Sequence, residues 1–147
     1  MLIREIPTNY NDENIVRTDK DIQKIMLAIN QQVKVNNNED YNRERFYVIG
    51  LNTKHYIKYI DMTALGDLNT TLVHPREVYR LAVLNSIDSI IVAHNHPSGD
   101  PAPSEQDVEL TSRLKDAGKI LGIELIDHIV VGNDSNRFIS MLAKKLI

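Results

Sequence analysis

Residues 90–107 read Ile-Ile-Val-Ala-His-Asn-His-Pro-Ser-Gly-Asp-Pro-Ala-Pro-Ser-Glu-Gln-Asp. The apolar run that opens this segment is short enough to be a buried strand. If the strand continues through His96, the side chains of His94 and His96 point to the same face, because side chains alternate with a period of two. Ser104 then begins a segment with helical periodicity, and Asp107 lies in its first turn. The sequence therefore predicts a strand end and a helix start that face each other across a Pro/Gly loop and enclose one cation.

Each of these residues also has a plainer interpretation. An isolated histidine is most often a core or surface residue with ordinary hydrogen bonds, but two neighbouring buried imidazoles need partners for their nitrogens, and a metal ion accepts both lone pairs. Ser104 and Asp107 match a helix capping box. Asp107 also shares the inward face of its helix with Leu110 and Leu114, and a buried carboxylate must be paired. Cap and ligand are compatible, so both roles stay open.

Two histidines and one aspartate around zinc leave a further position for water, as in catalytic rather than structural zinc sites. Such a water has its pKa lowered toward neutrality and becomes a nucleophile. The sequence therefore favours a hydrolytic zinc site, which still needs a general base from elsewhere in the chain.

Length, charge and cysteine content exclude several other classes. A chain of 147 residues is expected to form one domain. Its net charge of −3 argues against strong non-specific binding of nucleic acid, which requires a basic face. The absence of cysteine excludes disulfides, thiolate zinc sites, a cysteine nucleophile and the zinc deaminase pattern.

The N-terminus lacks the pattern of a signal peptide, and no apolar run reaches membrane-spanning length. We therefore expect a cytoplasmic protein without membrane association; its oligomeric state is left open. Residues 1–17 are polar and rich in turn-forming residues, which predicts a flexible N-terminal arm before a domain at 18–147.

The coarse secondary structure predicts a mixed sheet with helices on its faces. A helix follows the cap at Thr18, and a second helix opens at Pro75. The other predicted elements are a hairpin of strands 44–51 and 56–63, a short edge strand at 70–73, the strand at 90–93, a helix at 104–121 that stops at Gly122, a strand at 123–131, and a strand or helix at 138–147.

The pattern His94-x-His96-Pro97, followed by Ser104 and Asp107, resembles the JAMM/MPN+ metalloprotease signature. The fuller set resembles the bacterial RadC family more closely: His-Asn-His-Pro-Ser-Gly at 94–99, Asp-His-Ile-Val-Val-Gly at 127–132, and His-Pro-Arg-Glu-Val at 74–78. The similarity extends from about Arg43 to Gly132, which is most of the chain.

This resemblance implies a three-layer α/β/α fold with a mixed sheet, like that of cytidine deaminases, and a zinc ion on His94, His96 and Asp107. It also implies that Glu44 accepts a proton from the catalytic water and that Ser104 donates a hydrogen bond to the developing oxyanion. From the residues alone, Glu44 would be a solvated charge between Arg43 and Arg45.

Asp127 and His128 lie in a predicted strand and allow two interpretations. They could orient a metal-bound histidine, or they could be a structural pair at the edge of the sheet.

Two functions follow as hypotheses. The first is a zinc-dependent hydrolase of peptide or isopeptide bonds that acts on a peptide or protein substrate. The alternative is a non-catalytic RadC-like interaction module in DNA repair or recombination, with a structural metal and DNA-repair proteins as partners.

Longer RadC-like proteins carry a helix-hairpin-helix region associated with DNA. Only the arm and one helix precede Glu44 here, so we expect neither that region nor tight direct DNA binding.

Overall fold

The computed structural model describes residues 2–4, 14–66 and 72–147. Its elements, in chain order, are β1 (Leu2–Arg4), α1 (Asp19–Asn36), α2 (Asn38–Tyr41), β2 (Arg45–Leu51), β3 (Ile57–Leu65), α3 (Pro75–Leu84), β4 (Ser89–His96), α4 (Glu105–Leu121), β5 (Glu124–Gly132) and β6 (Phe138–Ser140). None of the helices within these residues is long and apolar enough to cross a membrane.

The strands form one mixed sheet in the order β1-β3-β2-β4-β5-β6. Strands β4 and β5 are parallel and are joined by α4, whereas the other neighbouring pairs are antiparallel. A parallel pair needs a long crossover connection, which α4 supplies. The predicted hairpin of β2 and β3 and the predicted mixed sheet are both confirmed.

Two apolar cores lie on opposite faces of the sheet, because alternate residues of each strand point to opposite sides. Ile22 and Met26 of α1 pack with Ile49, Ala93 and other residues on one face. On the other face, the side chains of α3 and α4 pack with Phe46, Val48, Ile90 and Val92. The predicted three-layer α/β/α architecture is therefore correct.

The helix ends follow local sequence signals. Thr18 precedes α1, and the Asp21 carboxylate accepts the Thr18 N–H at 3.0 Å. Pro75 occupies the first position of α3, where its missing N–H costs no hydrogen bond. Gly122 ends α4 with a φ of 73°, in the left-handed region that glycine adopts without strain.

In two terminal regions the structure adds detail to the sequence-based expectation. Within the predicted arm, Leu2–Arg4 pairs with β3 and the buried Val16 donates its N–H to the His55 carbonyl; residues 1 and 5–13 of the arm lie outside the described residues. A strand of only three residues is too short to show a readable alternation. At the other end, 138–147 forms a short strand followed by turns.

The predicted edge strand at 70–73 falls partly outside the described residues, which exclude 67–71. Leu72 and Val73 form a turn that leads into α3.

Candidate metal centre

His94 and His96 occupy the C-terminal end of β4 on the face that α4 covers. His94 follows Ile90 and Val92 in alternation, and both of these belong to the core beneath α3 and α4. The turn after β4 brings the chain back so that Asp107 lies in the first turn of α4, opposite the two imidazoles. The structure thus brings together the three residues predicted as ligands.

The ligand atoms lie close together. His94 Nε2 is 3.0 Å from His96 Nε2. The Asp107 carboxylate places Oδ2 at 3.2 Å from His96 Nε2 and Oδ1 at 3.5 Å from His94 Nε2. One nitrogen or oxygen from each residue therefore falls within 4.8 Å of the other two, close enough to bind a single ion.

Asp107 caps its helix as well as facing the histidines. Its backbone N–H donates to Ser104 Oγ at 3.1 Å, and the Ser104 N–H donates to Asp107 Oδ2 at 2.9 Å. This capping box fixes the carboxylate in the orientation that points it at His96. One conformation of Asp107 therefore allows it to cap the helix and to serve as a metal ligand, the two roles that the sequence left open.

The loop after β4 fixes the His96 ring. His96 Nδ1 lies 2.8 Å from the carbonyl oxygen of Asp100. A carbonyl can only accept, so Nδ1 carries the hydrogen and a neutral ring presents the lone pair of Nε2 to Asp107. Neither His96 Nε2 nor the Asp107 carboxylate then has a hydrogen to donate, so the two groups repel each other unless a cation lies between them. This arrangement fits a metal ion.

Behind His94 lies a histidine that the sequence suggested only in outline. His128 Nε2 is 2.7 Å from His94 Nδ1, and both rings are buried. Asp127 points to the other face, where it accepts hydrogen bonds from Ser140 Oγ and the Leu142 N–H. His128 is thus the neighbour of the candidate ligand, and Asp127 has a structural role.

A β-bulge brings His128 to this face. The pairing of β4 with β5 matches Ile90 to Leu125 but Ile91 to Asp127, so Ile126 is an extra residue. Leu125 faces the core beneath α4, and regular alternation would direct Asp127, not His128, to that side. The extra residue reverses the alternation and places His128 beside His94.

The pKa values of the site reflect burial and mutual hydrogen bonding. Burial opposes ionisation of Asp107, but its hydrogen bonds to His94 and His96 hold its pKa well below the usual range. Burial alone would lower the pKa of His96, but its contacts with Asp107 and Asp100 and the charge of Glu44 raise it. Complete burial lowers the pKa of His128 well below its usual range, which keeps that ring neutral. In metal-free protein, a proton on His96 can therefore take the place of a cation.

The two predicted catalytic side chains border this site. Glu44 directly precedes β2, in which Phe46 pairs with His94; continuing that antiparallel register places Glu44 opposite His96 on the same face. Glu44 is partly exposed. Ser104 is exposed at the start of α4 and uses a lone pair to cap the helix, so its hydroxyl hydrogen can still be donated.

Comparisons with known proteins agree with this geometry. The family model described as "RadC-like JAB domain" matches residues 18–146. A UPF0758 protein of Clostridium beijerinckii is 41% identical over 135 residues, which is 84% of this chain and 58% of that protein. A UPF0758 protein of Clostridium botulinum is 39% identical over 136 residues, covering 92% of this chain and 55% of that protein. The chain therefore spans little more than half the length of these relatives. By its matched domain and these relatives, the chain belongs to the RadC family.

Proposed function

We propose that this domain is a zinc-dependent hydrolase that cleaves peptide or isopeptide bonds. The convergence of His94, His96 and Asp107 within 4.8 Å carries the proposal. Two histidine nitrogens and a carboxylate oxygen form the protein ligands of catalytic zinc sites that keep one position open. The donor set contains no thiolate, which also favours a catalytic over a structural ion.

Zinc in such a site supplies a water that is nucleophilic near neutral pH and polarises a carbonyl oxygen. The protein supplies orientation and access. His94 is 1% exposed, whereas His96 and Asp107 retain 13% and 9% side-chain exposure. The substrate therefore approaches from the side of His96 and the loop at 97–103.

Glu44 is the general base of the proposed reaction. It accepts a proton from the attacking water and delivers it to the leaving nitrogen, so that water adds to the carbonyl carbon and the C–N bond breaks. Its location opposite His96 and its partial exposure support this role, because the group must reach both water and substrate. The products are a carboxylate and an amine.

Ser104 stabilises the oxyanion of the proposed reaction. Its oxygen accepts the Asp107 N–H, which orients the side chain, and its own hydrogen remains to be donated. A hydrogen-bond donor aimed at developing negative charge lowers the barrier of acyl-transfer reactions.

A peptide or protein is the proposed substrate, because the site resembles that of the JAMM/MPN+ metalloproteases. The net charge of −3 argues against tight binding of DNA by this domain alone, because phosphate neutralisation requires a basic face. DNA-repair proteins are the candidate partners or substrates, in keeping with the family resemblance. A gel-shift experiment at low salt should give no complex with duplex DNA; a tight complex would contradict this assignment.

The metal content of the purified protein tests whether His94, His96 and Asp107 bind zinc. Protein purified without chelators should contain about one zinc per chain, measured by mass spectrometry of the metal. His94→Ala and Asp107→Ala should lose it, whereas His55→Ala, which alters an exposed histidine in a turn, should keep it. Wild-type protein without zinc, even after addition of zinc, would overturn the proposal.

A hydrolysis assay tests whether the zinc-loaded protein cleaves peptide or isopeptide bonds with Glu44 as the base. We would incubate zinc-loaded protein with a mixed-sequence peptide pool and a lysine-isopeptide-linked peptide in ¹⁸O water, and detect new labelled carboxylates by mass spectrometry. Glu44→Gln should keep zinc but lose labelling about 100-fold or more, and Glu109→Gln, an exposed carboxylate on α4, should behave as wild type. Equal activity of Glu44→Gln and wild type, or none in either, would instead favour a structural metal in an interaction module.

A further inference from the structure

A chain of hydrogen-bonding groups runs behind His94, on the side of its ring away from Asp107. His94 Nδ1 is 2.7 Å from His128 Nε2, and His128 Nδ1 is 2.6 Å from Thr111 Oγ1. Thr111 Oγ1 is 2.6 Å from the backbone carbonyl oxygen of Asp107. At most 1% of each of His94, Thr111 and His128 is exposed. These contacts connect the ring of one proposed ligand to the backbone of another.

The direction of these hydrogen bonds is fixed by the carbonyl at one end. A carbonyl oxygen only accepts, so the single hydroxyl hydrogen of Thr111 is donated to Asp107 O. The Thr111 oxygen must then accept at its short contact with His128, which places a hydrogen on His128 Nδ1. Sequence reasoning did not single out Thr111, because a hydroxyl on the inward face of a helix has no distinctive pattern.

His128 in turn accepts from His94. Its side-chain hydrogen bonds are to His94 and Thr111, neither of which is an anion, and the Phe46 ring packs edge-on against it. A buried imidazolium without a counter-charge is costly, so the ring is neutral and its Nε2 carries a lone pair. The hydrogen between the two histidines therefore belongs to His94 Nδ1, which leaves His94 Nε2 free to bind a metal.

We propose that Thr111 and His128 are positioning residues that hold His94 in the tautomer whose Nε2 lone pair faces His96 and Asp107 before any metal binds. This inference rests on the proposed role of His94 as a zinc ligand. The carbonyl of Asp100 holds His96 in the corresponding tautomer, with its hydrogen on Nδ1. Both imidazoles are then preorganised, so metal binding need not reorient either ring or shift a hydrogen from one nitrogen of a ring to the other.

Zinc affinity of matched variants tests the inference. Groups that orient a metal-binding histidine typically contribute about 10- to 100-fold in affinity. Thr111→Val keeps the shape but removes the hydroxyl, and His128→Phe removes both nitrogens, so each should weaken zinc binding by about that factor. Thr111→Ser retains the hydroxyl and should remain near wild type. Ser112→Ala, which alters an exposed hydroxyl one residue further along α4, should have no effect.

Affinity would be measured by competition with a chromophoric chelator, and folding of each variant by circular dichroism. His128→Gln provides a graded case, since its amide oxygen can still accept from His94 but the link to Thr111 is lost; we expect an intermediate affinity. Folded Thr111→Val and His128→Phe proteins that bind zinc as tightly as wild type would overturn the inference.

A second measurement does not depend on metal or on substitution. Long-range ¹H–¹⁵N spectra of the metal-free wild-type protein at pH 8 should show His94 protonated at Nδ1 and His128 protonated at Nδ1. Protonation of His94 at Nε2 would overturn the inference. If the wild-type protein binds no zinc at all, the proposed function fails, yet this spectrum still decides whether His94 adopts the tautomer that the inference requires.

Discussion

The side-chain amide of Asn95 holds the backbone on both sides of Glu44. Its Oδ1 accepts the N–H of Arg45 at 2.7 Å, and its Nδ2 donates to the carbonyl of Arg43 at 3.0 Å. Asn95 is fully buried and points to the face opposite that of its neighbours His94 and His96. One short segment of β4 therefore carries two candidate metal ligands and fixes the backbone of the proposed base.

Asn95→Asp should disrupt this arrangement. Asn95 Nδ2 also donates to Asn133 Oδ1 at 3.0 Å, so a carboxylate would face two acceptor oxygens without a hydrogen to offer. We expect a loss of about 3 kcal/mol in the free energy of unfolding, measured in urea. Zinc affinity should change less than hydrolysis, because the ligands lie on the other face. Asn136→Asp, on the exposed surface, is the control; equal stability of the two variants would contradict the prediction.

Gly132→Ala should weaken zinc binding through the backbone. Gly132 pairs with His96, and an added Cβ would overlap the carbonyl group of Gly99 in the loop that carries the Asp100 carbonyl. Because the clash is with backbone, the loop must shift, at a cost of about 1–3 kcal/mol in stability. Denaturant unfolding should show the lower stability of the variant, and zinc titration should show its weaker zinc binding.

The control for this prediction is Gly122→Ala at the end of α4. Gly122 has a φ of 73° but open space around it, so its substitution should cost about 1–2 kcal/mol in stability and leave zinc affinity unchanged. If both glycine variants bind zinc as tightly as wild type, the packing of Gly132 on Gly99 does not position the loop.

Ser104 should prove separable into a capping role and a catalytic role. Ser104→Ala loses the cap on the Asp107 N–H and should lower stability by about 1 kcal/mol, measured by denaturation. Ser104→Asn restores a good cap and should recover that stability. Both variants should hydrolyse peptides more slowly, since neither places a hydroxyl at the oxyanion. Full activity of Ser104→Ala would remove the serine from the proposed mechanism.

The stability of the metal-free protein should fall as pH rises above about 6.5, whereas the stabilisation by added zinc should increase over the same range. The depressed pKa of Asp107 contributes stability above its ordinary value of 3.8, and this is lost as pH falls through the folded value. The raised pKa of His96 contributes stability below its ordinary value of 6.5, and this is lost as pH rises through the folded value.

The contribution of this pair in metal-free protein is therefore largest between about pH 4 and 6.5. Zinc binding needs a deprotonated His96, so the rise in Tm on adding zinc should grow above pH 6.5. Melting curves with and without zinc from pH 4 to 9 measure this. In Asp107→Asn the decline of metal-free stability above pH 6.5 should be much smaller; a zinc-induced rise in Tm independent of pH would contradict the assignment.

The sequence predicted the parts of the site that obey regular periodicity. His94 and His96 share a face because β4 is a regular strand, and Asp107 follows from the cap at Ser104 and the first turn of α4. Glu44 could be selected only through family resemblance, since its approach to His96 depends on the register between β2 and β4. Nothing local in the sequence specifies that register.

The residues that support the ligands escaped prediction for the same reason. His128 reaches the site only because Ile126 is an extra residue in β5, and a bulge cannot be read from an alternating apolar pattern. Asn95 appeared as part of a histidine motif, although its own contacts lie on the other side of the sheet. Both roles depend on pairings between segments that are distant in the chain.

The bulge at Ile126 makes the pairing of β5 with β4 as important as the composition of β5. If the same residues paired with β4 without the bulge, every candidate ligand would stay in place, but the two sides of the strand would be exchanged from Asp127 onward. Apolar side chains would then meet the imidazoles, while His128 would be forced among the aliphatic residues beneath α1. Deletion of Ile126, by contrast, would leave Leu125 opposite Ile90 and Asp127 opposite Ile91, so the strand would become regular and His128 would keep its place beside His94.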